Sequence, residues 1–191
     1  MASVSVIVLA GGTSRRFGSD KLAALLPDGE SVLDHCLLGM PPSWAVIVVG
    51  PSRVVPSAVV ARVRFVQESP VGGGPLAGVA AGLALVSGEV VCVAPGDAPR
   101  AGSVLPSLVA ALEGDSSVGA AVLSDGEGQP NPLLAAYRVS ALRGTMPESP
   151  ANLPARELLS LPSRLVQAEV DVADIDTPED LEAVRSTPEL E

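Results

Sequence analysis

Val4-Ser5-Val6-Ile7-Val8-Leu9-Ala10-Gly11-Gly12 runs directly into Thr13-Ser14-Arg15-Arg16-Phe17-Gly18-Ser19-Asp20-Lys21. The apolar, β-branched run is too short to span a bilayer and has the length of a buried strand. Gly11 and Gly12 let the backbone turn sharply and approach a ligand closely. The loop beyond them offers backbone N–H groups and three cations, the arrangement that receives phosphates. It is not a Walker A loop, in which Lys follows the last Gly directly and is itself followed by Ser or Thr. Here Ser19 and Asp20 separate Gly18 from Lys21, and Leu22 follows.

Lys21 is the only lysine; the other eleven of the 12 basic residues are arginines. A compositional bias toward Arg accounts for the eleven. The surviving lysine points to a place where a compact ammonium is required and a planar guanidinium fork is not an equivalent.

The strand-like opening is one of several. Apolar runs recur at 46–49, 63–66, 90–93, 118–122, 133–137 and 165–170, with helical patterns between most of them. Ser31 with Asp34 reads as a capping box opening a helix through Leu38. Leu76, Val79, Ala80, Leu83 and Val86 form an apolar stripe at helical spacing. Ser103 reads as the cap of a helix carrying Val104, Leu105, Leu108, Val109 and Leu112 on one face. Alternating strands and helices predict a three-layer α/β/α Rossmann-like domain, with a mainly parallel sheet covered on both faces. At 191 residues the chain suits a single domain over 1–191, with 187–191 read as a disordered tail.

Composition narrows the class. Hydrophobic residues make up 47%, against disorder, and aromatics only 2%, so the core is built from Val, Leu and Ala. A net charge of −10 argues against a protein that coats nucleic acid, but not against a nucleotide substrate whose phosphates are offset by a divalent metal. Cys36 and Cys92 lie in apolar runs at no metal-binding spacing and read as buried, reduced thiols. No stretch reaches transmembrane length, and no basic segment precedes the first apolar run. The expectation is a cytoplasmic protein with no membrane partner.

In such sheets ligands bind beyond the carboxyl ends of the strands. After 63–66 comes Gln67-Glu68-Ser69-Pro70-Val71-Gly72-Gly73-Gly74-Pro75-Leu76-Ala77-Gly78, an unusual backbone path leading into a helix with Pro75 in its first turn. Gly78 and Gly82 suit close helix packing. After 90–94 comes Pro95-Gly96-Asp97-Ala98-Pro99, where the carboxylate serves either as a metal ligand or as a turn cap. Ser124-Asp125-Gly126-Glu127-Gly128 reads as a hairpin loop, and 146–154 as a loop. Near the end, Thr177, Pro178 and Asp180 spell a helix start. Asp174 and Asp176, two apart on an extended segment, share one face. His35, inside the first helix, receives no catalytic role.

Leu9-Ala10-Gly11-Gly12 with Arg15-Arg16-Phe17-Gly18-Ser19-Asp20-Lys21, and later Gly74-Pro75-Leu76-Ala77-Gly78, closely resemble the motifs of the MobA-like nucleotidyltransferases. Within that family the chain is most similar to the molybdenum cofactor guanylyltransferases. The resemblance touches motifs from Leu9 to Leu181. It implies transfer of GMP from GTP to the phosphate of molybdopterin with release of pyrophosphate and Mg²⁺ as cofactor. It implies nucleotide contacts from Leu9, Ala10, Gly11, Gly12, Lys21, Glu68, Gly74, Pro75, Leu76 and Asp97. It implies charge stabilisation by Lys21, Arg15 and Arg16, and metal binding by Asp97 with Asp176. Asn131 and Asp174 are the candidates facing the acceptor, and molybdenum-insertion proteins or apo-molybdoenzymes are candidate partners. Two positions depart from the family pattern. Glu68 stands where an Asp is usual against guanine, and Gly50 where some guanylyl enzymes carry Asn. A cytidylyltransferase of the same cofactor, another small-molecule nucleotidyltransferase, and a nucleotide-binding docking module without turnover are the competing readings.

Overall fold

The computed structural model describes residues 3–12, 17–125, 127–167, 172, 174, 175, 177 and 179–182. Arg15, Arg16, Asp176, the end of the 165–170 run and the proposed 187–191 tail lie outside the described residues. Seven strands form one sheet: β1 (Val4–Leu9), β2 (Ala45–Val49), β3 (Val63–Val66), β4 (Val90–Pro95), β5 (Ala120–Ser124), β6 (Pro130–Arg138) and β7 (Ser163–Gln167). Their order is β3-β2-β1-β4-β6-β5-β7. β1 pairs in parallel with β2 and β4, β2 with β3, and β5 with β7, whereas β6 runs antiparallel to both its neighbours. The expected mainly parallel sheet is therefore present, interrupted by one reversed strand that returns from β5 through the predicted hairpin. Asp125 holds that hairpin, its Oδ1 accepting from Glu127 N–H and Gln129 N–H.

Alternation along each strand divides the core into two faces. Val6, Val8, Val46, Val48, Cys92 and Ala94 pack against α1 (Val32–Leu38) and α3 (Ala101–Glu113). Ile7, Ile47, Val49, Val91, Val93 and Tyr137 pack against α2 (Pro75–Leu83) and α4 (Val139–Thr145). Period-2 side-chain direction thus yields the three layers. With few aromatics available, close backbone approach fills the space. A Cβ on Gly82 would lie 2.7 Å from Ile7 Cγ2, and one on Gly78 would lie 3.0 Å from Leu9 Cδ2, so α2 rests almost directly on β1. No helix among the described residues is long and apolar enough to cross a membrane.

The caps follow the sequence with one correction. Ser31 Oγ accepts from Asp34 N–H at 3.1 Å, opening α1. Thr177 and Asp180 exchange the two bonds of a capping box. Ser103, in contrast, does not cap α3. The helix starts at Ala101 with Arg100 in the capping position, because the turn after Asp97 already closes through Ala101 N–H to Ala98 O. Ser103 lies in the first turn and donates back to Arg100 O at 2.8 Å, a local bond its hydroxyl makes as readily as a cap.

The arginine bias finds its use at helix and loop ends. Arg62 donates to the carbonyls of Leu37, Met40, Pro41 and Trp44, gathering acceptors at and just beyond the carboxyl end of α1. Arg138 does the same for Leu112, Asp115 and Val118 after α3. An ammonium cannot span such an array. Arg62→Ala is expected to lower unfolding free energy by about 2–3 kcal/mol and Arg62→Lys to recover less than half of it. Urea unfolding followed by the fluorescence of Trp44, the sole tryptophan, reads both.

Candidate active site

The carboxyl ends of β1, β2, β3 and β4 meet along one edge of the sheet, stitched by main-chain bonds. Ala10 N–H donates to Val49 O at 2.7 Å, Gly96 N–H to Leu9 O at 2.9 Å, and Gly50 N–H to Val66 O at 2.8 Å. β1 is where the strand order reverses direction, with β2 and β3 on one side and β4 on the other. Such a switch point opens a crevice between the loops that leave it. Gly50 fits there because it has no side chain: its φ is +150°, and a Cβ would lie 2.6 Å from Ala10 O.

Lys21 enters the crevice on a short 3-10 turn, Lys21–Ala23, capped by Asp20, whose Oδ1 accepts from Leu22 N–H at 3.2 Å. Leu22 anchors the turn in the core. Lys21 Nζ forms an ion pair with Asp97 Oδ2 at the end of β4, the two side chains 13% and 18% exposed. A pair so far removed from water is screened little, and each charge depends on the other. The main-chain oxygen of Asp97 accepts from Ile175 N–H at 2.9 Å, which ties the segment carrying Asp174 to the Asp97 loop. Ile175 itself is buried with Leu26, Val32 and Leu181. Burial pushes the Cys36 thiol up to about 12, and the negative charges of Asp97 and Asp174 push it the same way, so both carboxylates act on one buried neighbourhood. Cys36 and Cys92 are buried free thiols, as expected.

Glu68 occupies the other side of the crevice. It is only 6% exposed, and its Oε1 accepts from Gly72 N–H at 3.0 Å. Its Oε2 is buried without a partner. A Cβ on Gly11 would come within 3.2 and 3.3 Å of the two carboxylate oxygens, so the carboxylate lies against the glycine loop that follows β1. A buried carboxylate oxygen without a donor is costly in a folded protein unless a ligand brings one. Gly74, with φ +87°, turns the chain into α2, and Pro75 takes the first helical position. The 146–154 loop reaches this strap, Asn152 N–H donating to Gly73 O at 2.7 Å. Leu76 sends its side chain into the core, so only its main chain is left to meet a ligand.

The structure thus joins Lys21 to Asp97, ties the Asp174 segment to Asp97, and sets Glu68 against Gly11. Asn131 is engaged in its own turn, its Oδ1 accepting from Leu133 N–H at 3.0 Å. The sequence reading passed over Arg53, whose Nη1 donates to Asp20 Oδ2 at 2.5 Å. The strand-end rule carries the signal, since Arg53 sits in the loop after β2, but its partner is 33 residues away. Among the described residues the carboxylate and histidine donors that cluster within 4.8 Å are Asp28, Glu30 and His35, near the start of α1, and not Asp97. His35 Nδ1 lies 3.2 Å from Asp28 Oδ2 there.

The tight seat of Gly50 has a measurable consequence. Gly50→Ala is expected to cost about 2–3 kcal/mol of stability, because the new methyl must displace the Ala10 peptide. Urea unfolding gives the loss. Hydrogen exchange at 9–12 that stays as in the parent while stability falls would show the strain relieved elsewhere.

Residues 6–167 match the family described as the MobA-like NTP transferase domain. A probable molybdenum cofactor guanylyltransferase of Chloroflexus aggregans is 34% identical over 146 residues, covering 73% of this chain and 67% of that protein. A protein of the same description from Bacillus cereus is 32% identical over 145 residues, covering 72% and 69%. Among solved structures, molybdopterin-guanine dinucleotide biosynthesis protein A from Archaeoglobus fulgidus superposes with a TM-score of 0.72 at 24% identity, over 95% of this chain and 96% of that one. The 2-C-methyl-D-erythritol 4-phosphate cytidylyltransferase of Thermus thermophilus superposes with a TM-score of 0.68 at 22% identity, over 96% and 98%. The sheet is therefore common to proteins whose names carry different bases, and sequence places this one among them: the chain belongs to the MobA-like NTP transferase family and is a nucleotidyltransferase.

Proposed function

We propose that this enzyme transfers GMP from GTP to the phosphate of molybdopterin, with or without molybdenum, and releases pyrophosphate. The observation that carries the choice of base is Glu68. Its buried, partnerless Oε2 lies on a carboxylate held against Gly11. A carboxylate accepts from the N1–H and the exocyclic amine of guanine together, a pair of donors that cytosine does not offer. The curated relatives named as molybdenum cofactor guanylyltransferases support the same acceptor.

In this reading a phosphate oxygen of the acceptor attacks the α-phosphorus of GTP in line. One P–O bond forms and the bond to the pyrophosphate oxygen breaks. Main-chain N–H groups of the loop after β1 receive the phosphates. Lys21 exchanges its carboxylate partner for the triphosphate and stabilises the charge that grows on the leaving group. Asp97, with Asp174 on the segment bonded to it through Ile175 N–H and Asp176 proposed as a further ligand, offers the hard oxygen donors that Mg²⁺ takes. Lys21 already occupies this place as a cation, so the donor set fits a positive charge. A bound Mg²⁺ would draw charge from the triphosphate. Arg15 and Arg16 are proposed to assist at the phosphates, and Asn131 to face the acceptor.

Pyrophosphate release with Mg²⁺ and purified molybdopterin, with GTP, CTP, ATP and UTP offered in parallel, tests the reading. Release with GTP alone supports it. Release with CTP alone overturns the base, and silence with all four overturns the acceptor. Glu68→Gln is expected to lower kcat/KM for GTP by on the order of 10–100-fold while leaving the KM for molybdopterin unchanged. Asp97→Asn is expected to lower kcat by on the order of 10²–10³-fold, and activity that survives in excess Mg²⁺ argues against its metal role.

A further inference from the structure

We propose that Arg53 is a positioning residue for Lys21: by clamping Asp20 it fixes the 3-10 turn that presents the lysine ammonium at the carboxyl end of β4. The inference rests on the reading of Lys21 as the residue that meets the triphosphate.

The geometry runs through one carboxylate. Asp20 Oδ1 accepts from Leu22 N–H inside the turn, and Asp20 Oδ2 accepts from Arg53 Nη1 at 2.5 Å across the crevice. The Asp20 main chain also accepts from Ala23 N–H at 3.1 Å, and Lys21 O accepts from Ala24 N–H at 3.2 Å. Lys21 is therefore the first residue of a turn whose cap is held from outside by the loop after β2. That loop is itself seated, since Gly50 is pressed against Ala10 O. Arg53 thus ties the loop after β2 to the turn beyond the glycine loop.

Charge supports the same role. Asp20 is the immediate neighbour of Lys21, and an unpaired carboxylate there would compete with Asp97 for the ammonium and repel a triphosphate. Arg53 neutralises it. The Asp20 side chain is 45% exposed and that of Arg53 25%, and an ion pair so open to water adds little to folding. Yet Arg53 keeps its Nε–H buried without a partner, an arrangement that stability alone does not explain.

Lys21 is the only lysine, so lysine-selective carbon-13 labelling gives a single side-chain signal for it. In Arg53→Met that signal is expected to move toward its position in Asp97→Asn, with Arg53→Lys intermediate. The thermal midpoint should stay within about 3 °C of the parent. Titration calorimetry with Mg²⁺ and a non-hydrolysable triphosphate analogue should show about tenfold weaker binding for Arg53→Met, and no additional loss when Arg53→Met is combined with Lys21→Ala. A Lys21 signal that responds to Asp97→Asn but not to Arg53→Met overturns the inference. So do binding losses that multiply in the double variant. Either result leaves the proposed function standing. A parent protein that binds no analogue of the four triphosphates overturns that function and this inference with it.

Discussion

The ion pair between Lys21 and Asp97 organises the edge of the sheet where the proposed site lies. Two charges this shielded from water are tolerated only while each has a partner. The lysine is supplied by the segment after β1 and the aspartate by the end of β4, neighbouring strands at the point where the strand order reverses. Everything nearby holds those two carriers in place. Gly96 N–H pins the loop after β4 to Leu9 O, Leu22 pins the lysine turn to the core, and Ile175 pins the far segment to the Asp97 main chain. In the proposed reaction a ligand with negative phosphates would enter by substitution, taking over a charge that is already balanced. This avoids the cost of leaving an isolated ammonium in a shielded crevice before the substrate arrives.

A core built from small residues makes the close approaches possible. Gly50, Gly78 and Gly82 each lie where a methyl group would intrude on β1 or the residue just after it. Helix α2, which Gly74 opens, thereby packs close against β1. The single tyrosine is consistent with this economy: Tyr137 is fully buried and donates its hydroxyl to Pro132 O at 2.6 Å, and burial raises its pKa. Arginine serves the edges of this core. Arg62 and Arg138 gather carbonyls with a planar fork, and Arg143 reaches Val86 O. The one lysine, Lys21, instead makes the ion pair with Asp97.

What was legible in the sequence was what local pattern encodes. The β-branched runs announced the strands, the glycine pairs announced the turns, the cationic glycine loop and its sole lysine pointed to Lys21, the rule that ligands lie beyond strand ends pointed to Asp97, and the family resemblance pointed to Glu68. The structure joins Lys21 to Asp97 and sets Glu68 against Gly11. The start of α3 was misplaced because a serine three residues into a helix looks like a serine before one; the closed turn from Ala98 to Ala101 decides between them. The Arg53–Asp20 clamp left no local trace, because its two halves belong to loops after different elements. Helix α4 likewise stayed unread, since only Val139 and Leu142 are buried along it and so short an apolar pattern carries little period.

The two departures from the family pattern acquire a physical sense together. Gly50 and Glu68 lie at the ends of adjacent strands that are bonded to each other through Gly50 N–H and Val66 O. The seat of Gly50 against the Ala10 peptide leaves no volume for an Asn side chain, so whatever recognition such a side chain gives elsewhere must come from another group here. Glu68 is one methylene longer than the usual Asp, and its carboxylate ends against Gly11 with one oxygen still lacking a donor. Loss of a side chain at one strand end and extension of one at the next are therefore parts of a single arrangement, in which one buried carboxylate carries the proposed choice of base. The shared sheet cannot make that choice, because proteins named for guanine and for cytidine chemistry superpose on it about equally well. The choice must then come from the loops, and in the proposed reading it falls to the Glu68 carboxylate, whose Oε2 lacks a donor.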